Sequence, residues 1–101
     1  MTVIWTNEAE RSFNGIVDYL LDLWTVEIAT NFVDIVEHTI ELIIEHPEMF
    51  KVSEYDNQSR EAFITKHTTM FYRVLDAKIE IEYFWGNFDN PDKIKDLLKF
   101  K

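Results

Sequence analysis

The second half of the chain carries the side chains that could act on an anion. Residues 1–50 hold ten acidic residues and one base, whereas residues 51–101 hold nine of each, so the net charge of −9 lies in the first half. Proteins bind phosphate backbones through lysine and arginine. Acidity of the whole chain argues against a polyanion partner, but a neutral second half with Arg60, Lys66 and Arg73 could face an anion while the acidic half points away.

Tyr72, next to Arg73, has two interpretations. Its hydroxyl could move a proton or its ring could stack on a base. Alternatively, it is a half-buried strand residue whose ring packs in the protein and whose hydroxyl meets water. We favour the second interpretation and keep the first as an alternative.

Metal-binding patterns are incomplete in this sequence. His38 and Glu41 lie one helical turn apart, but no second histidine follows at the spacing of a helical zinc site. Asp89, Asn90 and Asp92 resemble part of a calcium loop that lacks its glycine and its distal glutamate. The chain has no cysteine, which excludes thiolate zinc sites, disulfides and thiol catalysis. We expect no metal and no cofactor.

The length and composition fit one domain over residues 1–101. A chain of 101 residues can bury one modest core, and a hydrophobic content of 47% with two glycines and two prolines excludes disordered and low-complexity classes. No segment approaches the roughly 18 uncharged apolar residues of a membrane span. The N-terminus also lacks the basic-then-apolar pattern of an export signal. We therefore expect a cytoplasmic protein without a membrane partner.

The first half of the chain predicts a strand followed by a helical hairpin. Residues 2–6 form a β-branched and aromatic run, and Asn7 is predicted to cap the helix that follows. This helix runs to about Trp24, where Thr25 caps a second helix that ends before Pro47. Because almost no linker separates the helices, we expect them to lie antiparallel. The positions expected on the buried stripes are Phe13, Ile16, Val17, Leu20, Leu21 and Trp24 in the first helix, and Ala29, Phe32, Val36, Ile40 and Ile43 in the second.

The second half predicts strands and a closing helix. Residues 47–59 are polar, with a short strand expected around residues 50–52. Period-two alternation then predicts three strands, and a short helix is expected after Pro91. The strands cover residues 60–67, 68–75 and 78–85. The order favours an α+β fold in which a helical hairpin covers one face of an antiparallel meander of three or four strands.

Alternation also assigns side chains to the two faces of the predicted strands. Lys66 and His67 are adjacent in a strand, so their side chains point to opposite faces and cannot both serve one site. Glu80 and Glu82 alternate with isoleucines, which predicts a solvated face over this part of the last strand.

Aromatic residues cluster in the strands more densely than a sheet covered on one face requires. The cluster consists of Phe71, Tyr83, Phe84 and Trp85. The last three are consecutive, so they place large aromatic side chains on both faces. The closing helix, a protein partner or a second copy of the chain would have to cover the second face. These four residues are the candidate partner-binding residues.

Together, these features resemble the RelE/ParE superfamily of bacterial type II toxins, which includes plasmid-stabilisation proteins. The resemblance rests on the opening VIWTNEAERSF, the helical segments IVDYL and ATNFVDIV, a helix that ends at a proline, the FYRV segment at residues 71–74 and the tail NFDNPDKI. It covers almost the whole chain. The resemblance implies an α+β toxin that is neutralised by a cognate antitoxin protein.

Within that superfamily, RelE-like members cut messenger RNA on the ribosome, whereas ParE-like members poison DNA gyrase. Cleavage through a 2′-hydroxyl needs a proton acceptor, a cation beside the phosphorus and an acid for the leaving oxygen. Aligned on Tyr72, the positions where RelE-like nucleases keep such groups fall at Thr69, Trp85, Asn87 and Phe88. None of these four side chains is an acid, a base or a cation at neutral pH.

The residues that remain as catalytic candidates are Arg60, Lys66, Tyr72 and Arg73. We favour a ParE-like toxin that is gyrase-directed or catalytically degenerate. A ribosome-dependent mRNA endoribonuclease is the alternative, and an acidic homodimeric interaction domain without toxicity is a second one.

Overall fold

The predicted order of one strand, two helices and three further strands is present in the computed structural model, which describes residues 1–86. The elements are β1 (Thr2–Trp5), α1 (Asn7–Leu23), α2 (Val26–Glu45), β2 (Arg60–Thr65), β3 (Thr68–Leu75) and β4 (Lys78–Gly86). The α+β class is confirmed. The helix predicted after Pro91 lies outside the described residues.

The four strands form one mixed sheet in the order β1-β4-β3-β2. β2, β3 and β4 make the predicted antiparallel meander, and β1 adds parallel to β4 with Val3 opposite Ile79. The two-residue turn between β3 and β4 contains Asp76 at a φ of 35°, a left-handed conformation that aspartate tolerates better than most residues. The short strand expected at residues 50–52 is reduced to a single bridge between Val52 and Arg60.

Threonine side chains cap both helices. The Thr6 hydroxyl accepts a hydrogen bond from the Ala9 N–H at 3.0 Å, so the cap is Thr6 and the prediction of Asn7 was wrong by one residue. Thr25 accepts from the Ile28 N–H at 3.2 Å, as predicted. Because Trp24 and Thr25 are the only residues between the helices, the chain reverses direction at once.

The helices cover one face of the sheet, and the core lies between them and the strands. Phe84 of β4 lies 5.3 Å from the rings of both Trp5 and Phe13, and Phe13 stacks on Phe32 of α2 at 5.8 Å. The predicted seam of α2 is confirmed, with Ile40 half-buried and its other members buried.

The predicted stripe of α1 is wrong at its C-terminal end. Leu21 is 46% exposed and Trp24 is 60% exposed, because all residues from 21 to 28 lie at the solvent-exposed end of the hairpin. Over the part of the chain that the structure describes, neither helix combines the length and apolar character needed to cross a membrane.

Candidate functional site

The sheet has a side that faces the helices and a side that faces away from them, which we call the helix side and the outer side. Arg60 lies opposite Tyr72 on the helix side, and Phe71 lies opposite Tyr83 on the outer side. Between these two pairs the register shifts and leaves Glu82 as an extra residue in β4. Such a bulge redirects the side chains around it.

Tyr72 is fully buried on the helix side. Its hydroxyl donates a hydrogen bond to the Pro47 carbonyl at 2.8 Å, and its ring meets that of Phe50 edge-on. The prediction of a half-buried tyrosine with a wet hydroxyl was therefore wrong. Burial raises the pKa of Tyr72, and the charge of Arg60 offsets only part of that shift. Tyr72 is accordingly a neutral structural donor at physiological pH and a poor proton acceptor.

Arg60 holds the same segment of chain. Its guanidinium donates to the Phe50 carbonyl at 2.8 Å and to the Glu48 carbonyl at 3.4 Å. Arg60 and Tyr72 together fix residues 47–50, the segment that leaves α2, against the sheet.

The other two catalytic candidates lie elsewhere. Lys66 and His67 form the exposed turn between β2 and β3, so the prediction that they sit in a strand was wrong. Arg73 lies on the outer side, where it pairs with two carboxylates. The structure brings Arg60 and Tyr72 together but gathers neither Lys66 nor Arg73 with them.

The outer side holds an ionic cluster that consists of Arg73, Glu82, Asp56 and Ser59. The guanidinium of Arg73 lies 3.3 Å from Asp56 and 3.4 Å from Glu82. The Ser59 hydroxyl lies between the two carboxylates and is hydrogen-bonded to both. Glu82 has no exposed surface, so its predicted place on a solvated face was wrong. Residues 53–59 cover the Glu82 carboxylate, and the Arg73 charge makes its burial possible, since buried charges need a partner.

The cluster fixes residues 53–59 over the outer side of the sheet. The Asp56 carboxylate accepts hydrogen bonds from the backbone N–H groups of Gln58 and Ser59 at 3.0 and 2.8 Å. Burial alone would raise the pKa of Asp56, but these hydrogen bonds and the nearby Arg73 charge outweigh it and hold the pKa below its ordinary value. Asp56 therefore stays ionised and stabilises the turn formed by residues 56–59.

The predicted aromatic cluster spans both sides of the sheet. Phe84 packs in the helix-side core, whereas Phe71 and Tyr83 are buried on the outer side, where Tyr55 meets Phe71 edge-on. Trp85 is half-buried. Residues 53–59 thus cover part of the outer side. The sequence analysis did not suggest this segment as the cover. Of the four candidates, Trp85 retains the most surface for a partner.

Phe63 is an exposed aromatic residue that the sequence analysis did not single out. It lies on the outer side in one register row with Thr69 and Trp85, and it is 64% exposed. Its position between buried Ala62 and Ile64 could have revealed it, because alternation places a large apolar side chain at Phe63 away from the helices. Phe63 and Trp85 form what we call the outer aromatic edge.

Metal-ligating side chains do not gather in this part of the chain. Within residues 1–86, no three histidine, aspartate or glutamate residues are placed to share an ion. The nitrogen of His38 lies 4.0 Å from Glu41, and both side chains are exposed. The calcium-loop fragment at Asp89 lies outside the described residues.

The sequence matches the family model described as the ParE toxin of the type II toxin–antitoxin system parDE over residues 3–85. This match covers all six described elements apart from one residue at each end. No curated protein shows a significant match to the chain.

The fold is also similar to a solved structure described as the chromosomal ParDE toxin–antitoxin system from P. aeruginosa. The two chains superpose with a TM-score of 0.71 at 19% sequence identity, over 85% of this chain and 95% of the other. At this identity the likeness supports the fold alone.

Proposed function

The chain belongs to the ParE toxin family of type II toxin–antitoxin systems, and from this premise we propose that it acts in the cytoplasm by binding DNA gyrase, with a cognate antitoxin as its inhibitor. The proposal requires no catalytic group of its own. It treats the protein as a toxin that works through a protein–protein contact.

The observation that carries this proposal is that the four candidate catalytic side chains do not converge on one site, since only Arg60 and Tyr72 lie together. Cleavage of RNA needs a proton acceptor and a cation at one phosphate. Tyr72 is buried and bonded to Pro47, and Arg73 is paired on the other side of the sheet. Lys66 is left as an exposed lysine in a turn. A protein-directed mode of action is consistent with this arrangement.

The outer aromatic edge is the surface that we propose for the antitoxin. Phe63 is on β2, one of the two edge strands of the described sheet, whose backbone contacts residues 51–53 only near Arg60. A partner strand could therefore add beside Phe63, while apolar side chains of the partner pack on Phe63 and on Trp85, which lie two strands apart. Aromatic anchors of this kind often dominate a protein interface.

Expression of the chain alone and together with the product of the neighbouring reading frame tests the proposal. We expect growth arrest with the chain alone, rescue and co-purification with the neighbouring product, and a relaxed reporter plasmid because supercoiling stops. The ends of cellular transcripts should not change.

Lys66→Ala serves as the matched variant, since the lysine is exposed in a turn and we expect its removal to leave the fold intact. The proposal expects Lys66→Ala to remain as toxic as the wild type. New transcript ends that disappear in Lys66→Ala, together with normal plasmid supercoiling, would instead identify a ribonuclease.

A further inference from the structure

The turn between α1 and α2 presents large apolar side chains to solvent. Leu23, Trp24 and Val26 are 65%, 60% and 66% exposed. We call these three residues the hairpin tip. Single exposed apolar residues are ordinary, but three within four consecutive positions, one of them a tryptophan, are typical of an interaction surface.

The backbone of the hairpin tip is hydrogen-bonded to both helices. The Trp24 N–H donates to the Leu20 carbonyl at 2.9 Å, and Thr25 caps α2 through the Ile28 N–H. A surface that is already ordered loses little conformational entropy when a partner binds. The tip is therefore preorganised for binding.

The surroundings of the hairpin tip are acidic. Asp22 and Glu27 flank it, and both are exposed. Arg11 is the single base among residues 1–50, and it is engaged with Glu8 at 2.7 Å. The tip thus combines an apolar centre with a negative rim.

We propose that the hairpin tip is the surface with which the toxin binds its protein target, at an apolar pocket ringed by arginine and lysine. This inference rests on the proposed function and adds the contact surface to it. A protein that handles DNA carries such cationic surface for the phosphates. Trp24 can fill the pocket and also lie against an arginine.

The charges disfavour the other occupants of this surface. Two copies of the chain joined tip to tip would bring Asp22 and Glu27 of each copy together, and like charges at an interface oppose association. An anionic lipid surface is repelled for the same reason. A cationic protein surface is attracted.

The hairpin tip is also distant from the outer aromatic edge. The Phe84 N–H donates to the Ser12 hydroxyl at 2.9 Å, so Ser12 of α1 lies beside the end of β4 that carries Trp85. With a rise of 1.5 Å per residue, Trp24 lies about 18 Å further along the helix. Variants of the tip should consequently affect the target and leave antitoxin binding intact.

Binding of purified DNA gyrase and of the purified antitoxin to three variants tests the proposal. Trp24→Ser removes the central side chain, and Asp22→Lys/Glu27→Lys reverses the rim. Glu37→Lys/Glu45→Lys makes the same charge change at exposed positions of α2 away from the tip. Melting temperatures check that each variant is folded.

We expect Trp24→Ser to weaken gyrase binding about thirtyfold, a typical loss for a tryptophan hot spot. Reversal of the rim should weaken binding by about tenfold and flatten its dependence on salt. The control variant should bind gyrase as the wild type does, and all three should keep their affinity for the antitoxin. Unchanged gyrase binding by Trp24→Ser, or an equal loss of antitoxin binding, would overturn the proposal.

Growth arrest on induction separates failure of this inference from failure of the proposed function. If the wild type arrests growth without binding gyrase, the proposed target is wrong. If Trp24→Ser then no longer arrests growth, the hairpin tip is supported as the surface that binds the target. If Trp24→Ser still arrests growth, this assignment is overturned. If the wild type does not arrest growth, both proposals fail.

Discussion

The helix side and the outer side of the sheet are held to their neighbours by different interactions. On the helix side, Phe84 packs between aromatic rings contributed by β1 and α1. On the outer side, Arg73 bridges Glu82 of the sheet and Asp56 of the segment that covers it. One side therefore depends on close packing of apolar surface, whereas the other depends on compensated charge.

This difference has a physical consequence for substitutions. Removal of a buried apolar side chain leaves a cavity whose cost grows with its volume. Removal of one member of a buried ion pair leaves an uncompensated charge, while replacement of both members by apolar residues can be nearly neutral. Paired substitutions can thus distinguish the two sides.

Arg73→Met is expected to have one of the two largest effects, because it leaves the buried Glu82 carboxylate without its cation. We expect a loss of about 3–5 kcal/mol in the free energy of unfolding, measured by urea denaturation. In Arg73→Met/Glu82→Leu much of this loss should be recovered.

Phe84→Ala is the corresponding substitution on the helix side, with which Arg73→Met and Arg73→Met/Glu82→Leu are compared. It should cost about 3–5 kcal/mol, and no second apolar substitution on the outer side should restore it. If Arg73→Met/Glu82→Leu is no more stable than Arg73→Met, charge compensation does not hold the outer side.

A smaller effect on stability is expected when the pH is lowered. Because the folded-state pKa of Asp56 lies below its unfolded value, its ionised form favours folding. This contribution is complete above the unfolded pKa of about 3.9 and is lost as the pH falls through the folded pKa. Asp56→Asn should be less stable than the wild type at neutral pH, and the two should converge in acid when thermal unfolding is followed. A constant difference between them at all pH values would rule out this contribution.

Tyr72→Phe tests the helix side without creating a cavity. It removes the hydroxyl that donates to Pro47 and should cost about 1 kcal/mol in stability. Growth arrest should persist, since the hydroxyl has a structural role. A stable variant that has lost all toxicity would show that the hydroxyl takes part in the activity.

Gly15→Ala should have the smallest effect, since Gly15 lies on the exposed face of α1, away from both sides of the sheet. A methyl group at Gly15 would meet no atom within 4 Å. Alanine should raise the free energy of unfolding by roughly 0.5–1 kcal/mol through helix propensity alone. No gain in a urea titration would mean that α1 gains nothing from propensity at this position.

Much of the fold could be predicted from local pattern. The Thr25 cap, the α2 seam and the β-meander follow from side-chain type and period, which act over a few residues. The parallel pairing of β1 with β4 joins residues more than 70 positions apart, and no local signal encodes it. The exposure of Trp24 also depends on how far the hairpin extends past the core.

The candidate site was harder to predict, because it depends on a segment distant in sequence. Alternation places Glu82 on the outer side with Arg73, but no local pattern shows that residues 53–59 cover this side and bury the carboxylate. The hydroxyl of Tyr72 likewise bonds to a carbonyl 25 residues away. The division of the aromatic residues between the two sides was predicted, since three consecutive strand residues must alternate.

Supercoiling of relaxed plasmid DNA by purified gyrase tests most directly whether this chain works through a protein target. With the purified chain in molar excess, we expect supercoiling to stop and to resume when the antitoxin is added. Undiminished supercoiling at every concentration of a folded, growth-arresting chain would contradict the proposed mode of action.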